Sequence, residues 1–155
     1  LPVLHYRALL HGVQAPRYWE MGDNDREYRF NNYLSRFHWR HVDLMDVLAG
    51  FQNRARASLD AIATMLGFPG KMGMAGDKVW EVFCNGDIRK IRDYCETDVL
   101  NTYLVYARFQ YMRGILDDTD LDQEYNLVRA ALENSEEAHL QEFAEVWREQ
   151  SSGEG

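Results

Sequence analysis

The pattern of apolar and polar positions is clearest between Ile88 and Met112, where 25 residues run without a proline or a glycine. Apolar and small side chains recur there at steps of three and four, which is the spacing of one helix face. The stripe consists of Ile88, Ile91, Cys95, Val99, Thr102, Tyr106 and Phe109. We therefore predict one long helix over Ile88–Met112, capped by Asp87, with this stripe next to buried surface.

Shorter helices are predicted from the same periodicity, and glycine-rich or polar stretches separate them. They are Leu1–His11, a short turn within Asn31–Phe37, Ser58–Leu66 with Ser58 as its N-cap, Asp77–Cys84, Tyr125–Leu132 and Ala138–Trp147. Alternating apolar and polar residues in Arg40–Leu48 predict a strand that runs into a helix start. We expect a mostly helical chain with one or two strands and a C-terminal helical pair.

Composition limits the class of protein. The chain has 155 residues, 46% of them apolar, which suits one domain with a real core. Its net charge of −8 argues against a simple electrostatic nucleic-acid binder, although a metal-dependent enzyme can meet a polyanion through its ions. Cys84 and Cys95 fall in apolar helical patterns and are expected to be small buried groups. No apolar run is long enough to span a membrane and no signal peptide is seen, so we expect a cytoplasmic protein without membrane contact.

One carboxylate stands out in the long helix. Asp98 has apolar neighbours at helical spacing, and a carboxylate beside buried surface is costly unless a cation or hydrogen-bond donors satisfy it. Tyr94 lies one turn earlier, at a spacing that puts the Cβ atoms about 5–6 Å apart. The ordinary interpretation is a local hydrogen-bonded pair. The functional interpretation is that Asp98 holds a divalent metal and Tyr94 positions a water beside it. The spacing alone leaves both open.

Other candidate motifs are weaker. The glycine-rich stretch Phe68–Gly76 does not match a nucleotide P-loop, because Lys71 is not followed by Ser or Thr. His38 and His41 have carboxylates nearby but no cysteine partner, which disfavours a zinc site. The tryptophans and tyrosines are expected mostly in the core. A few aromatic side chains could stack on bases, but their spacing singles none out.

Four stretches, taken in order, resemble a known family. They are HVDLMDVL, SLDAIATMLGFPGK, DKVWEVF and YCETDVLNTYLVYARFQYMRG. Together they resemble the bacterial predicted 3′–5′ exonucleases related to the proofreading domain of family-B DNA polymerases. These are DEDD exonucleases of the ribonuclease H-like fold, in the subgroup with a tyrosine in the third motif. Tyr94 and Asp98 fit that motif, Tyr-x-x-x-Asp. The resemblance implies an α/β fold in the parent protein.

The resemblance implies a two-metal hydrolase acting on the 3′ ends of single-stranded nucleic acid, with DNA favoured. It makes Asp98 a ligand of magnesium or manganese, and it gives Tyr94 the role of orienting the attacking water. Lys71 matches a lysine common in the loop of such domains and is a candidate substrate contact. The first two acidic motifs are not found, and the resemblance places them before Leu1. We therefore expect an N-terminally truncated piece that is inactive, or nearly so, by itself.

The resemblance also divides the chain. Residues 1–116 correspond to the C-terminal part of the exonuclease domain, residues 117–150 to an acidic helical extension opened by the connector DDTDLDQ, and residues 151–155 to a flexible tail. The extension lies outside the family's motifs. An alternative hypothesis is therefore a noncatalytic helical interaction module, whose amphipathic helices pack on their own domain or on a partner.

Overall fold

The computed structural model describes residues 2–152, and over that range the chain forms eight α-helices and no strand. Their bounds are Pro2–His11 (α1), Pro16–Trp19 (α2), Leu44–Leu48 (α3), Leu59–Met65 (α4), Val79–Cys84 (α5), Ile88–Met112 (α6), Asp118–Glu133 (α7) and Ala138–Ser152 (α8). Short 3-10 helices lie at Arg26–Arg29, Asn53–Ala55 and Gly76–Lys78. The prediction of a mostly helical chain is confirmed.

The predicted strand over Arg40–Leu48 is wrong, because this segment bends and then begins α3. The Asp43 carboxylate caps α3 by accepting a hydrogen bond from the Asp46 amide at 3.2 Å. No strand lies within the described residues to pair with this segment, and residues Leu44–Leu48 form hydrogen bonds within a short helix instead. The helical turn expected in Asn31–Phe37 is also missing. There the Asn32 side chain accepts from the amides of Leu34 and Ser35, which makes an Asx turn instead.

The chain divides into two compact units, Leu1–Arg56 (unit 1) and Ala57–Gly155 (unit 2). Unit 1 is built from short helices and turns, and few of its side chains are buried. Tyr28, at 1% exposure, is the most buried large side chain of this unit. The guanidinium carbons of Arg40 and Arg17 lie 4.0 and 5.0 Å from the centre of its ring. Cation–π contacts and polar turns therefore supply much of the internal structure of unit 1.

Unit 2 is organised around α6, which packs against α4, α5, α7 and α8. Its bounds, Ile88–Met112, and its N-cap are as predicted, since the Asp87 carboxylate accepts from the Lys90 amide at 3.1 Å. Ser58 caps α4 in the same way, at 3.1 Å from the Ala61 amide. Both caps satisfy amides that have no partner within their own helix.

The predicted apolar stripe of α6 is largely wrong. Of its members, Phe109 is buried, whereas Val99 is 66% exposed and Cys95 is also exposed. The buried side chains of α6 are Thr97, Asn101, Leu104, Val105, Ala107 and Phe109. Periodicity identifies an apolar face, but the arrangement of neighbouring helices decides which face is covered. Here the face with Cys95 and Val99 lines an open apolar groove between α6, α7 and α8.

The C-terminal helical pair is present, and α7 begins earlier than predicted. The supposed acidic connector forms its first turn, where Asp117 and Asp120 make a capping box. Carboxylates at this position also interact favourably with the helix dipole. Both helices pack on α6 and bury Leu121, Leu132, Phe143 and Trp147. Ser151 and Ser152 of the predicted tail belong to α8, and residues 153–155 lie outside the described part of the chain.

Two further expectations concern burial and the membrane. Cys84 and Cys95 are free and exposed rather than buried, and Cys95 lines the open groove between α6, α7 and α8. None of the helices in residues 2–152 combines the length and the apolar character needed to cross a lipid bilayer.

Candidate functional site

Tyr94 and Asp98 lie one turn apart on α6, and both are half-buried. A hydrogen bond from the Tyr94 hydroxyl to the Asp98 carboxylate is the main reason why the pKa of Tyr94 is raised to about 12. Burial and the negative charges of Asp98 and Asp77 act in the same direction. Tyr94 therefore keeps its proton at any physiological pH and presents a neutral hydroxyl beside a carboxylate.

The glycine-rich loop passes over this pair and is held to α6 by Asn101. The Asn101 side chain is 2% exposed and makes both hydrogen bonds that the Gly70 backbone offers. Its Oδ1 accepts from the Gly70 amide at 3.1 Å, and its Nδ2 donates to the Gly70 carbonyl at 2.6 Å. A buried side-chain amide that bonds both the N–H and the C=O of one residue fixes the backbone of that residue firmly. The loop is thus attached to the helix that carries Asp98.

Asp60, near the start of α4, holds the same loop from a second direction. Its Oδ1 accepts from the Lys71 amide at 2.7 Å. Gly70 adopts a φ of +67°, and a Cβ there would lie 2.7 Å from both Asp60 Oδ1 and Thr64 Oγ1. Only glycine suits this position, because it tolerates the left-handed backbone and leaves room for the two oxygens. Phe68 and Met74, both buried, anchor the flanks of the loop.

These elements enclose a cavity of about 270 Å³. It is lined by Ser58, Leu59, Asp60, Gly70, Lys71, Gly76, Tyr94, Asp98 and Asn101. The three candidate residues from the sequence, Tyr94, Asp98 and Lys71, therefore meet at one cavity although Lys71 is more than 20 residues distant from the other two in sequence. The arrangement combines a carboxylate, a neutral hydroxyl donor and the backbone of a loop that carries an exposed lysine.

The cavity offers a divalent cation part of a ligand set. Asp98 provides carboxylate oxygens, which are the ligands that Mg²⁺ and Mn²⁺ prefer. Asp60 also lines the cavity, but its Oδ1 already accepts from the loop backbone. Within residues 2–152, no group of three clustered ligand side chains includes Asp98. Asp98 thus fits as one ligand, and the described residues do not assemble a complete site around it.

A second cluster of ionisable side chains joins α6 to the start of α8. One ligand atom each from Asp93, Glu137 and His139 lies within 4.8 Å of the others. Arg92 Nη2 stands 2.9 Å from both Asp93 Oδ1 and Glu137 Oε2, and it holds the pKa of Glu137 below its usual range. His139 Nε2 lies 2.5 Å from Glu96 Oε2. Because a guanidinium already bridges the carboxylates, this cluster is an ion-pair network between helices, and a cation would have to displace Arg92.

Comparison with known proteins shows the family of the chain. A family model described as a predicted 3′–5′ exonuclease related to the exonuclease domain of PolB matches residues 1–147. The chain belongs to this family. Searches of curated proteins and of solved structures found no significant match. The match extends through α7 and most of α8, so the helical pair lies within the part of the chain that the family covers.

Sequence reasoning missed the residues that shape the site. Asn101 lies seven residues from Tyr94, in a helix full of polar side chains, and nothing in the sequence marks it as buried. Asp60 reads as an ordinary first-turn acid of α4. Gly70 offers the one usable signal, since a glycine beside Pro69 in a loop is a frequent sign of a special backbone conformation. The tryptophans were also misjudged: Trp147 is buried at 3% exposure, but Trp80 is 73% exposed.

Proposed function

We propose that this chain carries the third acidic motif of a metal-dependent 3′–5′ exonuclease that removes nucleotides from 3′ ends of DNA. Asp98 is a ligand of Mg²⁺ or Mn²⁺, and Tyr94 orients the water that attacks the scissile phosphate. One observation carries the proposal: in a chain of this exonuclease family, Tyr94 and Asp98 line one cavity, and Asp98 is close enough to raise the pKa of the Tyr94 hydroxyl.

The protonation states suit these roles. The hydrogen bond between the two side chains keeps Tyr94 neutral, with its pKa at about 12, so its hydroxyl can donate to an oxygen as well as accept from a water. A bound divalent ion would acidify its water and offset charge on the phosphate. Tyr94, one turn from Asp98, would hold that water in one orientation, which lowers the entropy cost of attack.

Lys71 is proposed to contact a substrate phosphate. Its side chain is exposed at the cavity, while its backbone amide is held by Asp60. A loop fixed at Gly70 by Asn101 would keep the backbone of Lys71 at a constant distance from Asp98, and the flexible side chain would bring its amine to a phosphate. An ammonium group beside the phosphate adds electrostatic stabilisation where negative charge develops.

One carboxylate does not hold two ions, and further acidic ligands are required for the two-metal mechanism. We propose that they come from the segment that the resemblance places before Leu1. The 155-residue chain by itself should accordingly bind Mn²⁺ weakly and show little or no hydrolysis. We further propose a cytoplasmic location, which suits the free and exposed thiols of Cys84 and Cys95.

The decisive test is nuclease activity in the protein expressed with its upstream coding sequence. A 3′-labelled single strand of DNA is incubated with Mn²⁺ and the release of nucleotides is followed. Asp98→Ala should abolish release, whereas Asp122→Ala, an exposed carboxylate on α7, should leave it unchanged. Tyr94→Phe should slow release roughly 10²-fold while substrate affinity stays the same. Undiminished release by Asp98→Ala would refute the assignment.

A further inference from the structure

The positive charge of the chain is concentrated in unit 1. Residues 1–56 contain eight arginines, no lysine and six carboxylates, a net charge of +2. Residues 57–155 contain nine lysines and arginines against 19 carboxylates, a net charge of −10, so the whole chain stands at −8. The proposed site therefore lies in a strongly acidic unit, and attraction of a polyanion has to come from elsewhere.

Half of the arginines in unit 1 are already neutralised. The pairs are Arg17 with Asp25, Arg36 with Asp46, Arg40 with Glu27, and Arg56 with Asp43. No carboxylate of the described residues lies within salt-bridge distance of the other four, Arg7, Arg26, Arg29 and Arg54. These pairings use four of the six carboxylates in the unit. Four guanidinium charges are thus left to act on an external anion.

One of these arginines, Arg29, stands next to a large exposed ring, and Arg26 lies one turn before it. Arg26 and Arg29 belong to the same 3-10 helix, and Phe30, which follows it, is 81% exposed. The guanidinium carbon of Arg29 lies 5.7 Å from the centre of the Phe30 ring. The Asn31 side chain then accepts from the amide of Trp39 at 3.1 Å, which ties the Phe30 segment to Trp39, itself 53% exposed.

The backbone beneath these side chains is well supported. Tyr28, between Arg26 and Arg29, turns inward under the Arg40 guanidinium. Gly22, at a φ of +108°, packs so closely that a Cβ there would lie 2.8 Å from the Cβ of Arg29. The Glu20 carboxylate holds this turn by accepting from the amides of Gly22 and Asn24 at 2.7 and 3.1 Å. Exposed rings and cations on a supported backbone keep a defined geometry, which reduces the entropy cost of binding.

We propose that Arg26, Arg29, Phe30 and Trp39 form a binding surface for single-stranded nucleic acid. Bases stack on the exposed rings, and the two guanidinium groups contact the phosphates between them. A single strand offers flat rings and regularly spaced negative charges, which is the chemistry that exposed aromatic and unpaired arginine side chains recognise together. The inference rests on the proposed function, because a nuclease of this kind needs a surface that attracts single-stranded nucleic acid.

The test measures binding without hydrolysis. A fluorescein-labelled oligothymidylate is titrated with the 155-residue chain in EDTA, at low salt, and anisotropy is recorded. Arg29→Ala and Phe30→Ala should each weaken binding about tenfold, within the range of one lost stacking or phosphate contact. Matched controls in unit 2 are Trp80→Ala, which removes a ring exposed by 73%, and Lys90→Ala, which removes an exposed cation. Both controls should bind like the original chain.

Salt dependence separates the two kinds of contact. For single strands, each phosphate contact contributes about 0.7 to the slope of log affinity against log salt concentration. Arg29→Ala should therefore reduce that slope by about 0.7, whereas Phe30→Ala should weaken binding with the slope unchanged. Far-UV circular dichroism should show the same helix content in every variant, since both side chains are exposed.

Several results would overturn the proposal. They are an undetectable affinity of the original chain, equal affinity of both variants and the original chain, equal losses in the Trp80→Ala and Lys90→Ala controls, and binding to anionic lipid vesicles without binding to the oligonucleotide. A change of sedimentation in the variants with no change in DNA affinity would overturn it too, in favour of self-association.

Loss of nucleotide release by Asp98→Ala with unaltered DNA binding would show that the two proposals are tested independently. Binding lost in Phe30→Ala without any nuclease activity in the extended protein would reject the proposed function alone.

Discussion

Unit 1 and unit 2 solve the problem of stability in different ways. In unit 2, five helices surround a core in which Leu104 and Phe143 are both 0% exposed. In unit 1, the helices are short, and buried positions include the polar side chains Asn32 and Asp46. Apolar burial stabilises without regard to direction, whereas hydrogen bonds and cation–π contacts require a particular geometry. The acidic unit therefore supplies a firm frame for the candidate site, and the arginine-rich unit supplies exposed rings and charges.

The largest expected effect is the loss of an aromatic core residue in unit 2. Trp147 packs edge-on against Phe68 and Tyr125, with ring centres 6.0 and 5.9 Å away. Trp147→Ala should lower the free energy of unfolding by about 3–5 kcal/mol in urea titrations followed by circular dichroism. Trp80→Ala, at an exposed position of the same unit, should change it by less than about 0.5 kcal/mol. Equal losses in both variants would contradict the core assigned to unit 2.

The next effect concerns the hydrogen bonds between the Asn101 side chain and the Gly70 backbone in unit 2. Asn101→Ala removes both partners of the Gly70 backbone and leaves a buried amide and carbonyl unsatisfied. We expect a loss of about 3 kcal/mol, together with faster hydrogen exchange at Gly70 and Lys71. Asn126→Ala, on the exposed surface of α7, is the control and should cost little. Unchanged exchange at Gly70 would show that the loop is held without Asn101.

A smaller effect is expected from the charged network in unit 1. The Asp46 carboxylate is 8% exposed as a residue and accepts two hydrogen bonds from Arg36, at 3.0 and 2.5 Å. Asp46→Asn should cost about 2 kcal/mol, the scale of hydrogen bonds to charged groups. Hydrogen exchange should quicken in residues 2–56 and stay as before in residues 57–152. If hydrogen exchange quickened equally in both units, the two units would not be stabilised separately. The same would follow if Asp23→Asn, at an exposed position, had the effect of Asp46→Asn.

The smallest expected effect on stability comes from the titration of Tyr94. The same titration is also a direct test of the site. The pKa of Tyr94 stands at about 12 because of the hydrogen bond to Asp98, so Asp98→Asn should bring it down toward the ordinary value of about 10. As pH rises, Tyr94 loses its proton at a lower pH in the unfolded chain than in the folded chain. The contribution to stability is therefore present below pH 10 and is lost as pH rises from about 10 to about 12. Tyrosine-labelled NMR spectra, with Tyr94→Phe for assignment, can follow the shift. An unaltered pKa in Asp98→Asn would mean that the carboxylate does not control the hydroxyl.

The amino-acid sequence determined several features of this protein without help. The bounds of α6, the caps at Ser58 and Asp87, and membership of the exonuclease family follow from local signals or from ordered motifs. Helix periodicity, side-chain capping and motif spacing all act over a few residues, so they can be recognised from the sequence. The family motif also directed attention to Tyr94 and Asp98, whose roles stay predictions.

Tertiary structure alone decided which surfaces are covered and what surrounds the site. The face of α6 with Cys95 and Val99 is apolar but open, whereas the buried face includes the polar side chains Thr97 and Asn101. Burial depends on whether another helix lies there, and that depends on contacts between residues distant in sequence. For the same reason, a strand expected at Arg40–Leu48 could not form where no described neighbour pairs with it. Lys71 and Asp98 likewise line one cavity because Asn101 forms a hydrogen bond with the Gly70 backbone, 31 residues earlier in the chain.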